Sequence, residues 1–152
     1  MKTLILGLGN PILSDDSVGF HVAQALMGRF DEGKVTVMES DVAGLSLLDL
    51  LLGYDRVVIV DSIQTRGGKA GHIYRLRPED FAITRHAVSP HDVNLLTALE
   101  LGNRLGLDMP GEIVIFAIEV QDVTNFSESC TPEVERAIPK VVEMVDEEVE
   151  KP

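Results

Sequence analysis

The N-terminal stretch "KTLILGL" (2–8) constrains the fold more than any other part of the sequence. Its apolar residues are nearly continuous rather than alternating, which is typical of a β-strand that is covered on both faces. The stretches "RVVIVDS" (56–62) and "EIVIFAIE" (112–119) predict two further strands. A strand of the doubly covered kind belongs in a sheet that lies between two layers of helices.

The segments between these strands alternate between helical and extended patterns. Helices are predicted at 17–30, 45–53, 90–105 and 132–150, and additional strands at 34–40 and 71–76. The strand at 71–76 follows the Gly-rich turn "RGGKAG", so we expect it to form an antiparallel hairpin. The order β-α-β-α-β-β-α-β-α indicates an α/β fold, a three-layer α/β/α sandwich around a mostly parallel twisted sheet with one antiparallel strand.

Length and composition restrict the classes of protein to which the chain can belong. Its 152 residues predict a single domain spanning 1–152. Thirteen basic and 25 acidic residues give a net charge of −12, which disfavours nucleic acid and anionic membranes as partners. The single cysteine, Cys130, excludes an internal disulfide, and no signal-peptide pattern is present. We therefore expect a cytoplasmic protein.

Polar side chains follow the carboxyl ends of the predicted strands, where α/β sheets form their sites. They comprise Asn10, Asp15 and Asp16 after the first strand, Glu39, Ser40 and Asp41 after the second, Asp61 and Ser62 in the third, and His86 and His91 in the later loop "RHAVSPHD". Loops that are distant in sequence thus bring two carboxylates and an imidazole to one edge of the sheet.

Each of these residues also has a purely structural interpretation. Asp15 or Asp16 is equally well explained as an N-terminal cap of the first helix, because a carboxylate there accepts backbone N–H bonds. His91 lies beside Pro90 at a predicted helix start, where a histidine is more often solvated than a ligand. The combination of three residues favours a site more strongly than any one of them does.

Two carboxylates and one imidazole form a three-ligand set that leaves coordination positions open, as in catalytic metal sites. Oxygen and nitrogen donors without thiolate suit zinc, nickel or manganese. Without a metal, the same residues would form an acid–base pair in which carboxylate repulsion raises one pKa. Nucleophilic catalysis has less support, because Cys130 is expected just before the last helix and away from the strand ends, and no serine lies in a G-x-S-x-G context.

The glycines at positions 7 and 9 do not indicate nucleotide binding. A dinucleotide-binding motif requires a third glycine where this chain has Ile12, and the Gly-Lys-Ser/Thr ending of a P-loop is absent. The acidic pair after the turn would repel a pyrophosphate. We expect these glycines to let the backbone turn tightly and bring Asp16 to the strand ends.

Five motifs together resemble the hydrogenase maturation endopeptidases. They are "GLGNPILSDDSVG" (7–19), "DVAG" (41–44), "VVIVDSI" (57–63), "SPHDVNL" (89–95) and "TPEV" (131–134). Members of that family trim a C-terminal peptide from the large subunit of nickel–iron hydrogenases, and their fold is an α/β sandwich of the phosphorylase/hydrolase-like type. The resemblance spans nearly the whole chain in the same order.

The resemblance implies specific roles for three residues. The family binds its metal through an acidic residue, an aspartate and a histidine, which match Asp16, Asp61 and His91 here. It implies an aspartic-type or metal-dependent endopeptidase that recognises nickel already inserted in the precursor, with zinc or cadmium able to occupy the same site. The implied partner is the nickel–iron hydrogenase large-subunit precursor, and we expect the protease to act as a monomer. Asp41 replaces a glycine that is frequent in the family.

Two other functions fit parts of the sequence. The opening "LILGLGNP" also resembles peptidyl-tRNA hydrolase, but the Arg-His-Asn segment of that family does not follow it, and the net charge of −12 suits tRNA poorly. A non-catalytic metal-binding chaperone of hydrogenase assembly would use the same ligands without hydrolysis.

Overall fold

The computed structural model describes residues 1–42, 46–83 and 95–152, and its five strands form one sheet. The strands are β1 (Thr3–Leu8), β2 (Val35–Ser40), β3 (Arg56–Ile63), β4 (Ile73–Leu76) and β5 (Glu112–Glu119). Their spatial order is β2-β1-β3-β5-β4, in which only the pairing of β4 with β5 is antiparallel. The predicted α/β fold with one antiparallel strand is confirmed.

Helices cover both faces of the sheet. They are α1 (Val18–Leu26), α2 (Leu47–Leu51), α3 (Pro78–Ile83), α4 (Leu95–Arg104) and α5 (Pro132–Glu150). Alternate residues of β3 face opposite sides, so Val58 and Val60 pack with α1 and α5, whereas Val57 and Ile59 pack with α2. This two-sided burial explains why the central strands read as continuous apolar runs. Within the described residues, no helix combines the length and hydropathy needed to cross a membrane.

The structure corrects the predicted pairing of the fourth strand. β4 does not form a hairpin with β3; it pairs with β5, with Tyr74 opposite Ala117. Both edges of β3 are occupied by the parallel neighbours β1 and β5, so β4 adds at the free edge of β5. Helix α3 and a 3-10 turn at Ser14–Ser17 were not predicted. The first residues of the predicted helix 90–105 lie outside the described residues.

Helix α1 packs against β1 at backbone distance. A Cβ at Gly7 would lie 2.2 Å from the carbonyl oxygen of Gly19, and a Cβ at Gly19 would lie 2.2 Å from that of Leu8 and 2.7 Å from that of Val60. Any side chain at these positions would separate the helix from the sheet. The glycines therefore set the distance between the two elements and hence the course of residues 9–17 that connect them.

A buried arginine holds the carboxyl end of α5. The guanidinium of Arg56, at the start of β3, donates to the carbonyls of Glu148, Val149 and Lys151 at 3.2, 2.6 and 3.0 Å. These acceptors belong to the end of a helix, where carbonyls lack intrahelical donors and the dipole favours a cation. The side chain of Glu148 is also buried and pairs with Arg75 and Lys151. The acidic end of α5 is thus balanced by three basic residues.

Replacing Gly19 with alanine will destabilise the protein by about 1–3 kcal/mol, because the new Cβ overlaps two backbone carbonyls. Urea unfolding followed by circular dichroism measures the change. Gly33→Ala is the matched control, since its Cβ would meet only the Asp31 carboxylate at 3.4 Å, and a change within about 0.5 kcal/mol is expected. Equal losses in the two variants would show that the β1–α1 distance is not critical.

Replacing Glu148 with glutamine will lower stability by about 1–3 kcal/mol at neutral pH. Burial raises the pKa of Glu148, but hydrogen bonds and charge from Lys151 and Arg75 outweigh it and lower the pKa below its ordinary value of 4.5. A lowered folded-state pKa means that the stabilisation is present above pH 4.5 and is lost as the pH falls through the folded-state pKa.

Thermal unfolding of wild type and Glu148→Gln between pH 3 and 8 tests this sign, because the difference should shrink on the acid side. Glu133→Gln serves as the control: Glu133 forms an exposed pair with Arg136 at 3.6 Å, and its loss should have little effect at any pH. A Glu148→Gln effect that grows on acidification would contradict the assignment.

Candidate functional site

The carboxyl ends of β1 and β3 form the switch point of the sheet. From β1 the chain passes through α1, on one face of the sheet, to β2. From β3 it runs to β4 and then through α3 and α4 to β5, on the opposite side of β3 from β1. Diverging connections leave a crevice between two adjacent parallel strands, which is where open α/β sheets bind ligands. Asp16 and Asp61 are the carboxylates that follow or end these two strands.

Backbone contacts place Asp16 at this crevice. Its N–H donates to the carbonyl of Leu13 at 2.9 Å, and its carbonyl accepts from the N–H of Asn10 at 3.1 Å. That carbonyl lies so close to Gly9 that a Cβ there would be 2.1 Å from the oxygen. Gly9 therefore allows the tight turn predicted from the sequence, and the side chain of Asp16 is 3% exposed.

Ser62 connects the two aspartates. Its hydroxyl donates to Oδ1 of Asp16 at 2.7 Å, and its N–H donates to Oδ1 of Asp61 at 2.8 Å. Asp61 is fully buried, and strand alternation directs it toward the α2 and α4 face while Ser62 faces α1. The two carboxylates thus flank the end of β3 from opposite sides, with one serine between them.

Asp15 has a structural role that distinguishes it from Asp16. Its carboxylate accepts the N–H groups of Gln121 and Asp122 at 2.9 Å each, and the N–H and hydroxyl of Thr131 at 2.6 and 2.9–3.0 Å. It does not cap the helix that follows it, since neither the 3-10 turn nor α1 has a side-chain cap. Asp15 instead fastens the loop 120–131 to the turn after β1.

Cys130 lies in the same contact region, which corrects its predicted distance from the strand ends. Its sulfur is 3.6 Å from the hydroxyl of Ser17, and the residue is 9% exposed. Burial raises the pKa of the Cys130 thiol, partly offset by the hydrogen bond with Ser17. A thiol held protonated is a poor nucleophile, which agrees with a packing role.

Several other residues named from the sequence serve local structure or lie outside the described residues. Asn10 accepts the N–H of Ile12, Ser40 accepts that of Val42, and Glu39 accepts from the side chain of Gln24. His86 and His91 both lie outside the described residues. The histidine ligand therefore stays a prediction.

Sequence reasoning missed a further buried carboxylate at this edge. Glu119, at the end of β5, is 2% exposed and accepts from the backbone and hydroxyl of Thr65 and from the hydroxyl of Tyr74. These bonds hold the loop between β3 and β4 against β5. The only signal was a glutamate at the end of an apolar strand, the same pattern that identified Asp61.

The described part of the site suits a divalent cation. Two buried carboxylates linked through one serine offer oxygen donors of the kind that divalent cations bind. Among residues 1–42, 46–83 and 95–152, no three His, Cys, Asp or Glu residues are grouped to hold a metal ion. Asp16 and Asp61 would supply two oxygen donors to such an ion, and His91, the predicted third ligand, lies outside the described residues.

The fold and site define an α/β protein with an acidic crevice at a sheet switch point, and comparison with known proteins identifies its family. Residues 20–148 match the family of HycI, the hydrogenase maturation proteases. The chain is 27% identical over 147 residues to the hydrogenase 2 maturation protease of Escherichia coli K12, covering 95% of this chain and 88% of the relative. This chain belongs to the hydrogenase maturation protease family, a family of peptidases.

Solved structures agree with this assignment. The hydrogenase maturating endopeptidase HybD of Escherichia coli superimposes with a TM-score of 0.82 at 26% identity, covering 95% of this chain and 90% of that one. A nickel–iron hydrogenase maturation protease, HybD of Thermococcus kodakarensis, gives a TM-score of 0.75 at 24% identity, covering 99% and 100%, and so shows the same fold.

Replacing Asp15 with asparagine will destabilise the protein by about 2–3 kcal/mol, because an amide NH2 would face backbone donors that now reach a carboxylate. Asp16→Asn is the adjacent control, since the remaining amide oxygen still accepts from Ser62, and a smaller loss is expected. Chemical denaturation compares the two. A larger loss in Asp16→Asn would reverse the structural and functional roles given to the pair.

Proposed function

We propose that this chain is the endopeptidase that removes the C-terminal extension of a nickel–iron hydrogenase large-subunit precursor after nickel insertion. The observation that carries the proposal is the pair of buried carboxylates, Asp16 and Asp61, joined through Ser62 at the switch-point crevice of a hydrogenase maturation protease. Membership of the family supports peptide hydrolysis. The relatives named above are proteases of hydrogenase maturation.

The crevice supports hydrolysis through the protonation chemistry of its carboxylates. One carboxylate accepts a proton from the attacking water and returns it to the leaving amine. Ser62 is a positioning residue, because its hydroxyl and its N–H orient one oxygen of each aspartate. The burial of both side chains keeps bulk water away and strengthens their electrostatic effect.

Asp16, Asp61 and His91 would together hold nickel that arrives with the precursor. A divalent cation held there supplies Lewis acidity toward the peptide carbonyl. Nickel in this role belongs to the substrate, so cleavage reports that the precursor is loaded. Zinc or cadmium fits the same oxygen and nitrogen donors.

Cleavage of the cognate precursor tests the proposal directly. Purified protein is mixed with nickel-loaded or nickel-free precursor, and mass spectrometry follows loss of the C-terminal peptide. We expect cleavage of the loaded form alone. Asp61→Asn should retain the fold, because it is nearly isosteric, and should reduce cleavage at least about 100-fold.

A matched histidine pair provides the control. His91→Ala should reduce cleavage as strongly as Asp61→Asn, whereas His86→Ala, five residues earlier in the same loop, should retain most activity. Equal losses of cleavage in the two variants would contradict the choice of His91 over His86 as the ligand. If the wild-type protein binds the precursor but does not cleave it, the proposed endopeptidase activity is wrong. The protein would then act as a non-catalytic metal-binding chaperone.

A further inference from the structure

Two large apolar side chains are exposed beside the candidate site. Phe126 is 82% exposed and Ile12 is 49% exposed. Their segments are joined directly, because the N–H of Ser127 donates to the carbonyl of Ile12 at 2.9 Å and Leu13 forms a β-bridge with Ser127. We call Ile12 and Phe126 the apolar rim. Exposed apolar side chains that are grouped in this way mark binding surfaces more often than scattered ones.

The apolar rim belongs to a well-ordered turn. Asp122 accepts the N–H groups of Thr124 and Asn125 and the side-chain amide of Asn125 at 2.6–3.1 Å, which fixes the turn just before Phe126. On the other side, a ring nitrogen of His21 lies 2.8 Å from the carbonyl of Glu128. Asp15 fastens both ends of the same loop. A phenylalanine presented by such a turn loses little conformational entropy when a partner covers it.

The apolar rim lies close to the proposed reacting centre. Leu13, next to Ile12, accepts the N–H of Asp16 at 2.9 Å and precedes it by three residues, so their Cα atoms are at most about 11 Å apart. That distance corresponds to about three residues of an extended peptide. A chain held at the rim would therefore place its neighbouring residues in the crevice.

The two segments that carry the apolar rim are acidic. Residues 9–17 and 120–131 contain no lysine or arginine. In the loop of Phe126, Glu128 is exposed and Asp122 is half-buried. Hydrogen bonds from the Asn125 side chain and from the Thr124 and Asn125 backbone lower the pKa of Asp122, which keeps it charged at neutral pH. The apolar rim therefore suits an apolar side chain flanked by basic residues.

We propose that the apolar rim is the docking element for the substrate polypeptide, which presents an apolar side chain flanked by lysine or arginine a few residues from the scissile bond. The inference rests on the proposed function and identifies the part of the enzyme that recognises the segment beside the cleavage site. The rim contributes to binding and not to the chemical step.

The KM and kcat of the Phe126→Ser variant separate substrate binding from the chemical step. Steady-state cleavage of nickel-loaded precursor should show KM raised about tenfold with kcat within about twofold, because uniform binding is lost. Leu105→Ser is the matched control, since Leu105 is 61% exposed but follows α4, on the side where β5 begins, and both constants should stay unchanged. An unchanged KM in Phe126→Ser would overturn the docking role while leaving the endopeptidase in place.

Binding measured in the cleavage-deficient Asp61→Asn protein keeps the docking role testable even where cleavage fails. Adding Phe126→Ser to Asp61→Asn should raise the Kd for the precursor about tenfold, whereas adding Leu105→Ser should leave it unchanged. Rising salt should also weaken binding, because the basic residues face exposed acids. If wild type does not cleave but this Kd difference appears, the proposed function fails and the docking role stands.

Self-association is the competing explanation for the apolar rim. Sedimentation of the wild-type protein alone should give a monomer at concentrations well above the Kd for the precursor. A dimer that Phe126→Ser dissociates and Leu105→Ser does not would assign the rim to a second copy of the chain and overturn the proposal.

Discussion

The backbone contact between β1 and α1 determines where the functional groups of this protein lie. Gly7 and Gly19 allow the helix to approach the strand to main-chain contact, and residues 9–17 connect the two elements. Gly9 then accommodates the carbonyl of Asp16. The position of the first carboxylate is thus set by the main chain, and its side chain then accepts a hydrogen bond from Ser62.

The buried carboxylates among the described residues fall into two groups according to where they lie in the fold. Asp15, Glu119 and Glu148 accept several hydrogen bonds or ion pairs from protein groups, and each fastens one segment to another. Asp16 and Asp61 lie at the crevice on either side of β3, and Ser62 donates to one oxygen of each. The first three serve stability, and the last two lie where a sheet of this topology binds its ligand.

Sequence patterns were sufficient for the layers and most elements, because continuous apolar strands and amphipathic helices reflect burial directly. β5 and α5 have the predicted bounds, Glu112–Glu119 and Pro132–Glu150. The predicted pairing of β4 was wrong because β4 adds to the sheet edge that is free. Which edge is free is known only from the order of all the strands. Local composition around "RGGKAG" indicates a turn but carries no information about that edge.

The sequence was sufficient to predict which types of residue lie at the candidate site. It did not show the role of each residue. Asp15 and Asp16 are adjacent and identical, and only the loop 120–131, more than a hundred residues away, shows that Asp15 is a structural acceptor. Ser62 was visible as a polar strand end, yet its link between two carboxylates is a property of the assembled strands. Nothing in the sequence indicated that Phe126 is exposed, because a single aromatic residue in a polar loop is equally consistent with a buried side chain.

The bonds of Asp15 have a consequence for how the molecule opens. Its carboxylate joins the turn after β1 to Thr131, 116 residues further along the chain, and also to Gln121 and Asp122. Neither segment can leave the sheet without breaking charge-assisted bonds to the other. The turn and the loop therefore form one cooperative unit, whose amide hydrogens exchange with solvent together and whose local unfolding displaces Asp16 in the same event.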